Sequence, residues 1–181
     1  MANRWIVTAL GQDKPGIVAG VTEVLYKLGC NLEDSAMTRL ESEFAIMLIF
    51  SAPLKITEAR LAQAFAPAGK KLKLAIHIKP LTSKESAAPK KAGVPFVISV
   101  YGADRAGIVF QVAQSLAKAK INITDVHTHR SASAGPSLYA MLLEVEAPPK
   151  STEQGLTAHL APLAKKLGVE LSVRPSEAAV L

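Results

Sequence analysis

GQDKPGIV, residues 11–18, is the stretch that decides the fold of this chain, and it returns in altered form as GADRAGIV at residues 102–109. Each copy follows an apolar run and precedes a segment whose apolar residues recur at helical spacing. The second copy lies 91 residues after the first. A glycine-bounded turn that occurs twice between a predicted strand and a predicted helix indicates two copies of one structural unit.

The first copy reads in the order strand, helix, strand, strand, helix, strand. The predicted elements are a strand over 5–10, a helix over 17–28, a half-exposed strand over 31–40, a buried strand over 44–52, a helix over 57–71 and a strand over 72–78. The same order follows in the second copy, with four extra residues within 131–137. The order predicts an α+β fold: two ferredoxin-like βαββαβ units, each a four-stranded antiparallel sheet with two helices on one face.

Local signals add detail to the predicted helices. Pro15 suits the first turn of the first helix, and Gly29 suits the left-handed residue that follows a helix. Thr57 is the predicted N-cap of the second helix, and Pro67 is expected to kink that helix or end it early.

The repeat also predicts the domain boundaries. We expect a first unit over 1–80, a linker over 81–93, a second unit over 94–175 and a C-terminal tail over 176–181. The linker prediction rests on its Ser, Lys, Ala, Pro and Gly content and its lack of periodicity.

Composition narrows the class of protein. Hydrophobic residues make up 49% of the 181 residues, and no apolar run approaches the ~20 residues of a membrane span. The N-terminal residues lack the apolar core of a signal peptide, so we predict a cytoplasmic protein with no membrane partner. Cys30 is the only cysteine, which excludes an intrachain disulfide, and we expect it to act as a small buried apolar residue.

The net charge of +6 raises the alternative of direct nucleic-acid binding. The charge is spread out, however, with +3 over residues 1–80, +2 over 81–93 and +1 over 94–181. Phosphate binding favours a basic stripe on one face, and no helix-turn-helix or aromatic RNA-binding strand is evident. Direct DNA binding is therefore the less favoured interpretation.

The repeated turn is the best candidate for a binding site. The start of a helix presents free backbone N–H groups and the positive end of the helix dipole, which attract carboxylate or phosphate. Gly16 and Gly107 leave room for a ligand near the backbone, and Asp13 and Asp104 can accept hydrogen bonds from turn amides. From spacing alone, an ordinary helix-start turn remains an open alternative.

The sequence with these turns resembles a pair of ACT domains. The first copy joins its turn and helix to Cys-Asn-Leu at residues 30–32, and the second joins them to Ile-Asn-Ile at residues 121–123. Two such domains in tandem resemble the glycine cleavage system transcriptional repressor family, over roughly residues 4–175. The resemblance implies regulatory binding of an amino acid at an interface between two ACT domains. It carries over these ligand-binding positions: Gly11, Asp13, Gly16, Ile17, Asn31, Gly102, Asp104, Gly107, Ile108 and Asn122.

Two departures place the second site in question. Ala106 stands where the pattern prefers proline, and Lys120 stands where the first copy has Gly29. Lys14 and Arg105 in the turns either help to hold a carboxylate or are simply solvated.

Catalytic and metal chemistry find little support in the sequence. His127 and His129 share a strand face but have no third ligand at suitable spacing, so we predict no metal site. Neither turn matches a nucleotide-binding glycine motif, and no serine lies in a hydrolase motif. The first unit also resembles regulatory pieces of enzymes such as formyltetrahydrofolate deformylase, but we predict no catalytic residue, no cofactor and no enzymatic activity.

The resemblance also implies partners. We expect an amino acid such as glycine as the small-molecule ligand, a transcription regulator as the protein partner, and possible homodimer formation through edge strands.

Overall fold

The computed structural model describes residues 3–82, 93–131 and 137–176. The chain forms two compact units, Met1–Ala88 and Pro89–Leu181, whose hydrophobic cores have no residue in common. Residues 83–92 of the predicted linker and 177–181 of the predicted tail lie outside the described residues. The exact domain boundaries therefore stay a prediction.

The first unit has the predicted element order. Its elements are β1 (Asn3–Gln12), α1 (Ile17–Lys27), β2 (Asn31–Leu40), β3 (Glu43–Ala52), α2 (Glu58–Leu72) and β4 (Ala75–Pro80). The four strands form one antiparallel sheet in the order β2-β3-β1-β4.

The second unit repeats this topology. Its elements are β5 (Val94–Ala103), α3 (Ile108–Lys118), β6 (Asn122–Arg130), β7 (Leu138–Ala147), α4 (Glu153–Leu167) and β8 (Val169–Pro175). The sheet order is β6-β7-β5-β8, again antiparallel throughout. The predicted fold class is thereby confirmed.

Burial of alternate strand residues under the helices holds each unit together. In β1, Trp5, Val7 and Ala9 are buried, while the residues between them are not. They pack with α1 through its buried face, which includes Ile17 and Val21. Each large apolar side chain buried in this way contributes about 1.5–3 kcal/mol, so the sheet and helix faces supply most of the stabilisation.

The strand β2 differs from the prediction of a half-exposed strand, because all ten of its residues are exposed. It lies at the edge of the sheet and pairs only with β3. Its counterpart β6 is almost as exposed. Sequence alternation alone does not reveal that the helices leave an edge strand uncovered.

The structure corrects two predicted strand boundaries. The strand β1 continues two residues past Leu10, because Gly11 pairs with Phe44 and Gln12 pairs with Glu43 of β3. At the other end of the unit, β4 begins at Ala75 instead of residue 72. The apolar pattern there is shared between the end of α2 and the start of the strand.

Two prolines behave differently from the prediction. Pro15 precedes Gly16, the N-cap of α1, so it lies outside the first helical turn. Pro67 lies inside α2, which nevertheless continues to Leu72. The predicted cap of α2 is confirmed, since the hydroxyl of Thr57 accepts a hydrogen bond from the Arg60 N–H at 3.3 Å.

Left-handed residues end the helices of both units, and glycine and lysine exchange places between them. After α1 the residue is Gly29 (φ 69°), and the matching residue after α3 is Lys120 (φ 58°). After α2 it is Lys73 (φ 56°), and after α4 it is Gly168 (φ 63°). The left-handed conformation disfavours any residue with a Cβ, by roughly 1–2 kcal/mol. Each unit therefore has one strained lysine at a helix end, and the departure at Lys120 keeps the geometry of Gly29.

We expect Lys73→Gly and Lys120→Gly each to raise the free energy of unfolding by about 1 kcal/mol, because the strain disappears. Both lysines are exposed, so little packing is lost. Gly29→Ala and Gly168→Ala are matched controls in the opposite direction, and each should lower the free energy of unfolding by a similar amount. Urea denaturation followed by circular dichroism measures all four. Equal stability of the lysine and glycine forms would contradict the strain.

Candidate functional site

Each candidate turn ends at a glycine in the left-handed region. Gly16 has φ 91° and ψ −3°, and Gly107 has φ 92° and ψ 0°. Each is the N-cap of its helix, and neither helix start receives a side-chain cap. A Cβ placed on Gly16 would meet nothing within 4 Å, so the space beside this turn is open in the first unit.

The second helix of each unit shows the contrast. There the threonine hydroxyls of Thr57 and Thr152 cap the helix, and Glu58 and Glu153 lie in the first turn. The first turns of α1 and α3 contain no acidic residue. The N–H groups and positive dipole of α1 and α3 are therefore not neutralised by local side chains, which makes these helix starts suited to an anion.

The aspartates of the turns have a different role from the predicted one. Their backbone N–H groups donate to the hairpin between the second and third strands: Asp13 to the Ser42 carbonyl at 2.7 Å, and Asp104 to the Ser137 carbonyl at 2.9 Å. The predicted hydrogen bonds from turn amides to the aspartate side chains are absent among the described residues. The backbone bonds anchor each turn to the hairpin.

The aspartate side chains instead face arginines of the edge strands. Asp13 Oδ2 lies 3.6 Å from Arg39 Nη1, and Asp104 Oδ2 lies 3.6 Å from Arg130 Nη1. Both arginine side chains are more than two-thirds exposed, at 67% and 69%. Exposed pairs of this kind contribute at most about 1 kcal/mol, so either carboxylate can exchange its arginine for another cation at little cost.

Two of the predicted ligand residues have clear structural reasons of their own. A Cβ on Gly11 would lie 2.7 Å from the Lys73 carbonyl oxygen, and one on Gly102 would lie 2.9 Å from Val169 Cγ1. Glycine at these strand positions therefore permits the close approach of the segment after the second helix. This requirement holds whether or not a ligand binds.

The isoleucines of the turn point inward. Ile17 and Ile108 are each 2% exposed and belong to the two cores. Only their backbone groups remain for a ligand, since their side chains are occupied with packing.

Asn31 and Asn122 begin β2 and β6, as predicted, and both are exposed. Among the described residues, neither side chain makes a hydrogen bond, so both amides are available. A β-bulge follows each of them, between Leu32 and Asp34 in β2 and between Ile123 and Asp125 in β6. Bulges of this kind redirect strand side chains and recur beside binding sites.

The turn and the asparagine stand at opposite ends of the first helix. The helix α1 has 11 residues, so its ends are roughly 16 Å apart at 1.5 Å per residue. A small molecule cannot bridge that distance within one unit. The structure therefore does not bring the two halves of the predicted site together inside a unit.

The second turn differs from the first in its surroundings. Arg105 Nη1 lies 3.7 Å from the position of a Cβ on Gly168, at the C-terminus of α4, where a cation is favoured by the helix dipole. Tyr139 pairs with Gly102 of β5, where Phe44 pairs with Gly11 in the first unit, and burial raises the pKa of the Tyr139 hydroxyl. Sequence reasoning missed this tyrosine, although its alignment with Phe44 was visible.

The cysteine and two of the histidines were weighed as reactive groups. Cys30 is partly buried against the first core, as the prediction of an apolar role implies. His127 Nε2 lies 2.9 Å from Asp125 Oδ2 on the exposed strand β6. Within residues 3–82, 93–131 and 137–176, no three histidine, cysteine or acidic residues are grouped to hold a metal ion. Over the same ranges, no helix has the length and apolar character to cross a membrane.

Comparison with known proteins identifies the family of the two units. The family model described as ACT domain matches residues 3–79 and again residues 95–174. The chain belongs to the ACT domain family. The two matches cover nearly all of both units, so this protein is a tandem ACT-domain protein.

Three relatives illustrate the range of the family. A UPF0237 protein of Streptococcus pneumoniae is 37% identical over 73 residues, which cover 40% of this chain and 83% of that protein. The glycine cleavage system transcriptional repressor of Escherichia coli is 44% identical over 46 residues, but these cover only 25% of this chain and 24% of the repressor. The tandem ACT-domain protein is thus related to that repressor over a limited stretch.

The third relative is a solved structure whose own assignment as a glycine cleavage system transcriptional repressor is provisional. It has a TM-score of 0.69 at 17% identity and covers 96% of this chain and 97% of that chain. At this identity, the likeness is one of fold.

Partial burial of Cys30 raises the pKa of its thiol, so the folded protein holds the proton more tightly than the unfolded chain. Its contribution to stability is complete below the unfolded pKa and is lost as the pH rises through the higher folded pKa. We expect the thiol to react with Ellman's reagent at least ~10-fold more slowly at pH 8 in the native protein than in urea.

Two further measurements check this expectation. In Cys30→Ala, the loss of stability at high pH should be smaller than in the parent protein. Equal thiol reaction rates in the native protein and in urea would contradict the protection by burial.

Proposed function

We propose that this chain is a non-enzymatic regulatory protein that binds an amino acid, such as glycine, and controls transcription through a protein partner. The observation that carries the proposal is the pair of uncapped helix starts at Gly16 and Gly107, which lack both a side-chain cap and an acidic first turn. An amino acid has the carboxylate that such a helix start favours. The relationship to the glycine cleavage system repressor favours glycine itself.

The second charged end of the amino acid has a candidate partner in the same turn. Asp13 precedes Gly16 by three residues, and within the described part of the chain its carboxylate faces only the exposed Arg39, at 3.6 Å. An ammonium group can replace that arginine with little loss. Asp104 and Arg130 offer the same exchange in the second turn.

The exposed asparagines complete the proposed site from a second ACT unit. Asn31 and Asn122 each offer one acceptor and two donors with no competing hydrogen bond in the described structure. Because α1 separates Asn31 from its own turn, contact with both groups requires pairing of two units. Such pairing, within one chain or in a homodimer, gives the ligand a way to change the population of two arrangements.

Calorimetry with the intact protein tests ligand binding. We expect heat with glycine or a related amino acid at millimolar concentration or below. Glycinamide, which lacks the carboxylate, and N-acetylglycine, which lacks the ammonium, should each bind at least ~10-fold more weakly. The absence of heat with all twenty amino acids would overturn the proposal.

Variants then test the assigned residues. Asn31→Ala and Asn122→Ala should each weaken binding, by about 10-fold where the site is occupied. Stability should not fall, because these side chains make no hydrogen bond to any residue that the structure describes. Thr22→Ala is the matched control, since the second unit has Ala113 at that position. If the asparagine variants bind like Thr22→Ala, the asparagines are not part of the site.

The proposed function and the nucleic-acid alternative predict opposite results in a gel-shift experiment. If repression requires a partner, the isolated protein should give no gel shift with the regulated DNA at about 150 mM salt, and any shift at low salt should lack sequence preference. A sequence-dependent shift by the protein alone would favour direct binding.

A further inference from the structure

A long groove lies between the two helices of the first unit. Its volume is about 920 Å³, and its lining runs along α1 from Gly16 to Leu28 and along α2 from Arg60 to Leu72. Small residues of both helices line it, among them Ala19 and Ala64, whereas the side chain of Leu72 occupies the space beside Gly20, where a Cβ would lie 2.6 Å from Leu72 Cδ1. A glycine or alanine surface allows another helix to approach closely, to the 8 Å end of the usual range of interaxial distances.

The second unit has the same two helices, but larger residues stand at the positions that match the groove. Phe110 stands in place of Ala19, Gln111 in place of Gly20 and His159 in place of Ala64. His159 Nε2 lies 3.1 Å from Ser115 Oγ, so a hydrogen bond joins α3 to α4. The two units therefore share a fold but differ at this helical face, and only the first unit keeps the small residues.

The rim of the groove is basic. Lys27, Arg60 and Lys71 line it together with a single acidic residue, Glu23. Glu23 Oε1 lies 2.6 Å from Lys27 Nζ, and this hydrogen bond and ion pair lower the pKa of Glu23. One positive charge is thus balanced by Glu23, and the rim keeps a net charge of +2 from its three basic and one acidic side chains.

We infer that this groove docks an amphipathic helix of a protein partner, with small apolar residues along one edge and acidic residues on both flanks. The inference rests on the proposed function, in which the chain acts through a protein partner. The small residues that line the groove allow close contact with the apolar edge of the docked helix, and the basic rim is complementary in charge to its acidic flanks. The groove runs along the 11 residues of α1, enough for about three turns of helix.

A second copy of the chain is a poorer occupant. Two such grooves facing each other bring two positively charged rims together, which is unfavourable. The matching face of the second unit carries Lys118 and Lys166 at the positions of Lys27 and Lys71, so it also lacks acidic flanks. Charge complementarity therefore favours an acidic partner.

NMR titration of the full chain tests the inference, with a synthetic peptide as the probe. The peptide is an amphipathic helix of about four turns, with alanine and leucine on one edge and glutamate on both flanks. Its control has lysine in place of each glutamate. We expect the acidic peptide to shift amide signals of Ala19, Gly20 and Ala64, with several-fold weaker binding at high salt and at least 10-fold weaker binding of the lysine peptide.

The repeat supplies matched variants. Ala19→Phe and Ala64→His copy the second unit, which shows that the fold accepts these residues, and each should weaken peptide binding at least 10-fold. Tyr26→Ala also copies the second unit, on the same helix but outside the groove lining, and should leave binding unchanged. Phe110→Ala should likewise have no effect.

Any of three results with the peptides would overturn the inference: no binding of the acidic peptide, equal binding of the lysine peptide, or binding that Ala19→Phe leaves intact. A dimer in sedimentation that Ala19→Phe dissociates would also overturn it, by assigning the groove to an interface between copies. Calorimetry with amino acids on the same proteins separates the two proposals. Peptide binding without heat from any amino acid supports the docking groove and rejects the proposed ligand site. Heat from an amino acid without peptide binding supports the ligand site and rejects the docking groove.

Discussion

The left-handed glycine between the first strand and first helix is the constraint on which each unit depends. Gly16 and Gly107 adopt φ near 90°, a region that glycine enters freely and other residues avoid. The residue after each glycine, Ile17 or Ile108, enters the core directly. One backbone conformation therefore buries the first helical side chain and leaves the first helical N–H groups uncapped, so the turn serves the fold and the proposed site together.

Periodic patterns and the internal repeat predicted the element order and fold class correctly, because they depend on local sequence and on burial of one face. They failed where distant residues decide the outcome. Gly11 was assigned to the turn, but pairing with Phe44 draws it into the strand. Asp13 was expected to form hydrogen bonds within its own turn, but its carboxylate forms an ion pair with Arg39, 26 residues later in the chain. The position of Asn31 at the start of β2 was predicted, but whether its side chain lies beside a helix-start turn depends on contact with a second unit.

The two units have kept the same framework and changed one surface. The paired Asp–Arg contacts, the bulges and the threonine caps occur in both at matching positions. The helical face differs, with Ala19 and Ala64 in one unit and Phe110 and His159 in the other. A duplicated fold in which the first copy keeps small residues on its helical face can divide two tasks, the proposed ligand binding at the shared turns and the proposed partner binding at a single groove.

Trp5 is the single tryptophan of the chain, and it lies in the first core with 6% of its surface exposed. The second unit has Phe96 at the matching position. Indole emission consequently reports the melting of the first half alone, while far-ultraviolet ellipticity sums both halves. Overlaying the two signals reveals whether the halves lose structure as one cooperative body or in succession, with no label added to the molecule.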